Sequence, residues 1–233
     1  MSRIISKAAT LAVGLLLSVL PAGAENHDLE WWAWQSLKLD LSGLTGIQGN
    51  QLFLRNENRF NEDIENHSVW NWDAGLSVPL PALEGWSLMP VYRNVTRNVN
   101  SRRESHENRY YFDLSRRWRD VASSGWELAF RLRYELIDAH SRDDMIHVLR
   151  PKLTLSHALP IEWGEKAVRF YLSDEPFYDF DEDRWNRNRF GAGFKLPVHK
   201  NADLTLGYQM ESDRKGKDWD DDSMIMTGLD LKF

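Results

Sequence analysis

The sequence predicts an all-β fold: a transmembrane antiparallel up-and-down β-barrel of roughly 10–12 strands. Three observations predict it. Apolar residues recur with period two nearly throughout, the connections alternate between tight turns and longer charged loops, and tryptophans gather at segment ends. The chain has 233 residues, 11 of them tryptophan, and no cysteine.

The first element is an export signal. Arg3 and Lys7 form a basic start, Ala8 to Leu20 is apolar, Pro21 breaks the helix, and Ala22-Gly23-Ala24 is a small-x-small cleavage site. Cleavage is expected after Ala24, leaving 25–233 as the barrel. The apolar run is shorter than the roughly 20 residues of a spanning helix. The rest of the chain offers no second run of this kind, and the mean hydropathy is −0.54.

The strands follow. In Trp126–Leu136 the even positions are Trp126, Leu128, Phe130, Leu132, Tyr134 and Leu136, while the odd ones include Glu127, Arg131, Arg133 and Glu135. A helix would scatter those arginines into its own core, whereas a strand sorts them onto one face. Trp70, Trp72, Leu76 and Val78 oppose Asn71, Asp73 and Ser77. Tyr110, Phe112 and Leu114 oppose Arg109, Asp113 and Ser115. Leu149, Leu153 and Leu155 oppose Arg150, Lys152 and Thr154. Val168, Phe170 and Leu172 oppose Arg169, Tyr171 and Ser173. Phe190, Ala192, Phe194 and Leu196 oppose Arg187, Arg189 and Lys195, and Leu204, Leu206, Tyr208 and Met210 oppose Thr205, Gln209 and Glu211. Weaker segments lie near 29–41, 50–60 and 86–97. This marks eleven segments, against the even number usual for bacterial barrels. Pro151 also falls inside a segment, where it removes a ladder bond.

Tight connections are read at Pro79–Gly85, Leu159–Gly164 and Pro197–Ala202. Charged loops are read at Asn61–His67, Asn98–Glu104, Asp138–Asp144, Asp174–Asp183 and Asp213–Asp222. Short turns at one end and long loops at the other are the pattern of an outer-membrane barrel. A soluble sandwich in the periplasm is the alternative, since it too alternates apolar and polar residues. The membrane reading is favoured by unbroken apolar faces set against arginine-rich ones. It is also favoured by Trp31, Trp32, Trp70, Trp86, Trp118, Trp126, Trp163, Trp185 and Trp219 near strand ends, where an indole buries its ring and keeps its N–H wet. Ile225, Thr227, Leu229, Leu231 and Phe233 line one face of a last strand. Such an ending resembles the signal read by the barrel-assembly machinery, so Phe233 is the expected assembly signal.

Several pieces taken in order resemble a bacterial outer-membrane family known only as domain of unknown function two-four-nine-zero. They are Glu57-Asn58-Arg59-Phe60, Arg131 to Glu135, Glu175-Pro176-Phe177-Tyr178, Asn188 to Gly193, Leu206-Gly207-Tyr208 and the terminal strand. The resemblance implies a barrel in the outer membrane of a Gram-negative cell. It implies no reaction. Pro176 departs from the apolar residue of that pattern.

The absence of cysteine excludes disulfides, thiolate metal sites and cysteine catalysis, and a net charge of −6 argues against a nucleic-acid partner. Arg55, Arg59, Arg109, Arg131, Arg133, Glu135, Arg150, Lys152, Arg169, Arg187 and Arg189 are the expected lumen-lining residues, with Arg93 beside them. Two readings stand: a narrow, porin-like channel whose guanidinium groups favour small anionic solutes, or a salt-bridged plug in a closed structural barrel. The expected surroundings are outer-membrane lipid and lipopolysaccharide. The runner-up is a lipid-modifying hydrolase, for which Ser105-His106-Glu107 supplies the residue types. Neighbours on a strand face opposite ways, however, which argues against a triad. No catalytic residue, metal site or cofactor is read from the sequence; the acidic loops are taken as solvated charge.

Overall fold

The computed structural model describes residues 29–233 apart from 62–63, 65, 101–102, 122–124, 140–143 and 164–165. The expected signal and its cleavage after Ala24 lie outside the described residues. Eleven strands follow in chain order: β1 (Leu29–Asp40), β2 (Gln51–Asn61), β3 (Asn66–Pro79), β4 (Trp86–Asn100), β5 (Arg103–Val121), β6 (Trp126–Ala139), β7 (Ile146–Trp163), β8 (Lys166–Asp179), β9 (Arg184–His199), β10 (Ala202–Lys215) and β11 (Asp218–Lys232). One short helix, α1 (Ser42–Thr45), sits between β1 and β2 and ends at Gly46, whose φ of 71° is the left-handed conformation glycine accommodates. Among the described residues no helix is long and apolar enough to cross a membrane.

Each strand pairs antiparallel with its sequence neighbours, and β1 pairs parallel with β11 to close the barrel. The parallel seam follows from the count. In an up-and-down order every strand reverses the last, so strands one and eleven run the same way. The even count usual for bacterial barrels is therefore not met, and the weak 29–41 segment is a full wall strand. The seam runs from Leu29 opposite Ser223 to Lys38 opposite Lys232. Phe233 extends it: its N–H donates to the Lys38 carbonyl at 2.9 Å, and its carbonyl accepts from the Asp40 N–H at 2.7 Å.

Several stretches read as loops are strand. β8 continues to Asp179, β10 runs to Lys215, β11 starts at Asp218, and β7 reaches Trp163 through the supposed turn at Leu159. A charged run marks where both faces of a hairpin meet water, not where its ladder ends, because the backbone still pairs there. The two awkward prolines explain each other. The β7–β8 pairing lapses between Leu149 opposite Tyr178 and Leu153 opposite Asp174, and carrying the register across that gap puts Pro151 opposite Pro176. Two residues without an N–H share one break in the ladder.

Outward faces carry Trp72, Tyr92, Tyr110, Phe112, Leu153, Phe190 and Met210, each more than a third exposed. Trp86, Trp118, Trp126 and Trp163 mark the turn end of the wall, and Trp70, Trp185 and Trp219 the loop end. Trp32 does not belong to these belts. Even positions of β1 face inward, so Trp32 is buried, and Trp34 points the same way. An apolar cluster inside the barrel gathers Trp32, Tyr171, Met224 and Met226, with Trp34 packed against it.

Candidate functional site

The interior is filled in the middle reaches of the barrel. Each strand contributes a buried inward side chain: Trp32, Glu57, Asp73, Arg93, Asp113, Glu135, Arg150, Glu175, Arg189, Glu211 and Met224 in order around the wall. Arg189 on β9 lies 5.2 Å from the indole centroid of Trp32 on β1, a contact made across the inside with β10 and β11 between them in the wall.

Most of the charges are paired. Arg93 donates from Nε and Nη2 to both carboxylate oxygens of Asp73, at 2.6 and 2.7 Å. Arg133 grips Asp113 the same way at 2.7 and 2.8 Å. These are cross-strand partners in register, and the two-pronged geometry is the strong form of the contact. Tyr111 lies between them: its hydroxyl donates to Asp73 at 2.9 Å, and the Arg133 guanidinium sits 3.5 Å above its ring. Glu135 accepts from Arg109 at 3.1 Å and Arg150 at 2.6 Å. Glu175, read by sequence as part of an acidic loop as well as of the charged face, is buried against Arg131, Arg150 and Lys152, the last at 3.6 Å. This knot sits beside the Pro151–Pro176 break.

The remaining expected residues also face inward. Arg55 pairs with Glu57 at 2.8 Å and lies over Trp34. Arg169 donates to Ser156 at 3.1 Å. Arg187 pairs with Asp213 and with Glu211, the latter at 3.3 Å. Arg189 pairs with Glu211. Phe233 is exposed at the turn end of the seam.

Above the filled zone, at the charged-loop end, lies a cavity of about 390 Å³. Arg59, Arg93, Arg97, Arg109, Arg150, Arg187 and Arg189 line it, together with Glu30, Glu211 and Asp213, the amides of Asn61, Asn71 and Asn98, and Phe177 in its wall. Its volume is at the small end of the roughly 300–1,000 Å³ of small-molecule sites. Arg97, Tyr111, Phe177 and the inward Trp32 and Trp34 were missed as interior residues by sequence reasoning. Counting parity back from Lys38 and Ser36 places both tryptophans inside; Tyr111 and Phe177 hide because an aromatic on a charged face breaks the alternation.

Ser105, His106 and Glu107 do not converge. Glu107 faces inward onto Arg97 and Arg109, while His106 is exposed on the opposite face beside Thr96. Among the described residues no group of three His, Asp or Glu side chains has the spacing of a metal site. The acidic loop residues bind locally: Asp179 accepts the backbone N–H of Asp181 and of Glu182, and Glu182 pairs with Arg184.

No curated protein and no solved structure matches the chain. A family model described as "Protein of unknown function (DUF2490)" matches residues 5–222. The match spans nearly the whole barrel, from before β1 into β11, and so this closed, arginine-lined barrel belongs to the DUF2490 family.

Proposed function

We propose that the protein is a non-enzymatic barrel of the bacterial outer membrane that holds a small anion in its loop-end vestibule and does not conduct. The observation that carries this reading is the stacking of two zones. An arginine-lined cavity opens at the charged-loop end, and beneath it every strand contributes a buried side chain, most of them paired charges and those of β1 and β11 apolar. A guanidinium-rich wall surrounded by low-dielectric strands concentrates anions. A buried ion-pair network beneath it resists opening, because separating one pair strands a charge away from water. The outward apolar faces and the two tryptophan belts support a lipid setting, with lipopolysaccharide around the loop end and the turns toward the periplasm. In this setting Phe233 serves the assembly machinery by completing the seam.

Purified protein whose folded state is verified by heat-modifiable migration should be placed in planar bilayers. The expected result is insertion without unitary conductance. A steady, anion-selective conductance lost in Arg131→Gln/Arg133→Gln would instead establish the narrow channel.

A further inference from the structure

The vestibule arginines are not equivalent. Arg109 uses three nitrogens on Glu107 and Glu135, Arg150 three on Glu135 and Glu175, and Arg93 two on Asp73. Arg97, which bonds Glu107 through Nε, Arg59 and Arg189 break this pattern, and of the three Arg59 and Arg189 share one aromatic ring. Among the described residues, the side chain of Arg189 makes its hydrogen bond through Nε to Glu211, which leaves both terminal nitrogens without one. Among the described residues no hydrogen bond is made by the Arg59 side chain: its ion-pair contact to Glu57 is 3.7 Å long, and its Nε is buried with no hydrogen-bond partner. Both guanidinium groups lie over one indole, 3.9 and 5.2 Å from the Trp32 centroid.

A guanidinium offers five N–H donors in a rigid fork. Two such forks held against the same ring, with their terminal donors unused and a cavity in front of them, are arranged to share a counter-ion. Glu57 and Glu211 offset part of their mutual repulsion, and an anion on the free donors would offset more of it. Trp32 packs against both groups and Phe177 against Arg189 at 4.9 Å, so less freedom is lost when an anion arrives.

Building on the vestibule reading above, we infer that a small multivalent oxyanion of the phosphate class bridges Arg59 and Arg189 over Trp32. A carboxylate has one planar edge and one charge, which satisfies a single fork. A phosphate or phosphate monoester has tetrahedral oxygens that reach two forks at once and a charge that balances both. The cavity of about 390 Å³ leaves room for a small organic group on the ester. The source is a free solute and not a lipid headgroup, because the strand wall stands between the cavity and the acyl chains.

Titration calorimetry on the full-length protein in detergent, with pyrophosphate as the probe, tests the site. Wild type should bind, and Arg59→Gln and Arg189→Gln should each bind at least about tenfold more weakly, the loss expected for a charge-assisted contact. Arg59→Lys should fall between, since it keeps the charge and loses the fork. Arg117→Gln, an exposed side chain at the turn end, should bind as wild type does. No binding by wild type, or equal binding by Arg59→Gln, overturns the proposal. Tight capture of phosphatidic acid micelles with none of pyrophosphate overturns the free-solute source.

Should the variants fail to fold, arginine modification by phenylglyoxal can be mapped on wild type with and without pyrophosphate. Protection confined to Arg59 and Arg189 supports the site, and equal modification sinks it. Conductance separates this proposal from the closed-barrel reading. A protein that conducts and still binds through Arg59 refutes only the plug, and one that neither conducts nor binds refutes only the site.

Discussion

The ionic knot on β5–β8 and the seam between β1 and β11 fill the same narrow interior by opposite means. In the knot, Asp113, Glu135 and Glu175 are shared among Arg109, Arg131, Arg133, Arg150 and Lys152, so that each buried charge has at least one partner. At the seam, shape replaces charge. Trp34 sits so close over Gly228 that a Cβ there would overlap the indole, and beside the seam Tyr171 of β8 presses its hydroxyl against Gly193 of β9 and Gly207 of β10 in the same way. Side-chain hydrogen bonds then tie the two strands: Trp31 Nε1 donates to Thr227 at 2.9 Å, and Ser36 donates to Asp230. The knot is expected to tolerate a change of volume better than a lost charge, and the seam the reverse. A closed barrel needs its register fixed at the one place where no hairpin turn fixes it, and there a large residue keyed into a glycine does that work.

The sharpest way to break this contrast is to remove one charge from the knot. Glu135→Ala leaves Arg109 with Glu107 and Arg150 with Glu175 but removes one charge-assisted hydrogen bond from each, and should cost about 3–5 kcal/mol, measured as a fall in the urea midpoint of the folded barrel. Glu135→Gln, similar in volume and still a hydrogen-bond acceptor, should lose less. Equal losses would mean that packing and not charge holds the knot.

The second test asks whether the wall itself has two chemistries. Leu132 faces outward opposite Pro151, and Ala129 faces inward opposite Thr154. Leu132→Arg should cost about 2–4 kcal/mol in a bilayer, and Ala129→Arg clearly less. The opposite ranking would invert the inside and outside of β6.

The smallest expected effect belongs to the seam. Gly228→Ala should destabilise by about 1–3 kcal/mol through overpacking against Trp34. Trp34→Leu alone should also destabilise, and the double variant should recover part of the sum. Additive losses in the double-mutant cycle would show that the two residues do not meet.

The contrast also explains what the sequence could tell. Period-two alternation sorted residues by face, because that depends on parity alone; it put Arg131 and Leu132 on opposite sides without any knowledge of their neighbours. It could not reveal that Arg133 grips Asp113 while Arg131 reaches Glu175, because partners depend on cross-strand register. It erred where local chemistry and position disagree. Trp32 was assigned to the interface for its residue type, yet its parity with Ser36 puts it inside. Pro151 and Pro176 looked like two faults, since nothing in a linear reading brings them face to face. The parallel seam was hidden for a similar reason: it follows from the total count, and the strand hardest to recognise, Leu29–Asp40, decided whether that count was odd.

That odd count has a consequence for where the two ends of the wall lie. β1 enters the wall at the charged-loop end, and β11 leaves it at the turn end. The first and last strands therefore begin and finish at opposite ends of the barrel, and in the outer-membrane setting proposed above tags fused before β1 and after β11 would report on different compartments. In a barrel with an even count both ends share one side, and a fusion at either end reports on the same solution. Here the barrel is a two-sided connector: a segment joined before β1 is displayed beside the vestibule, and one joined after β11 is displayed where the turns are.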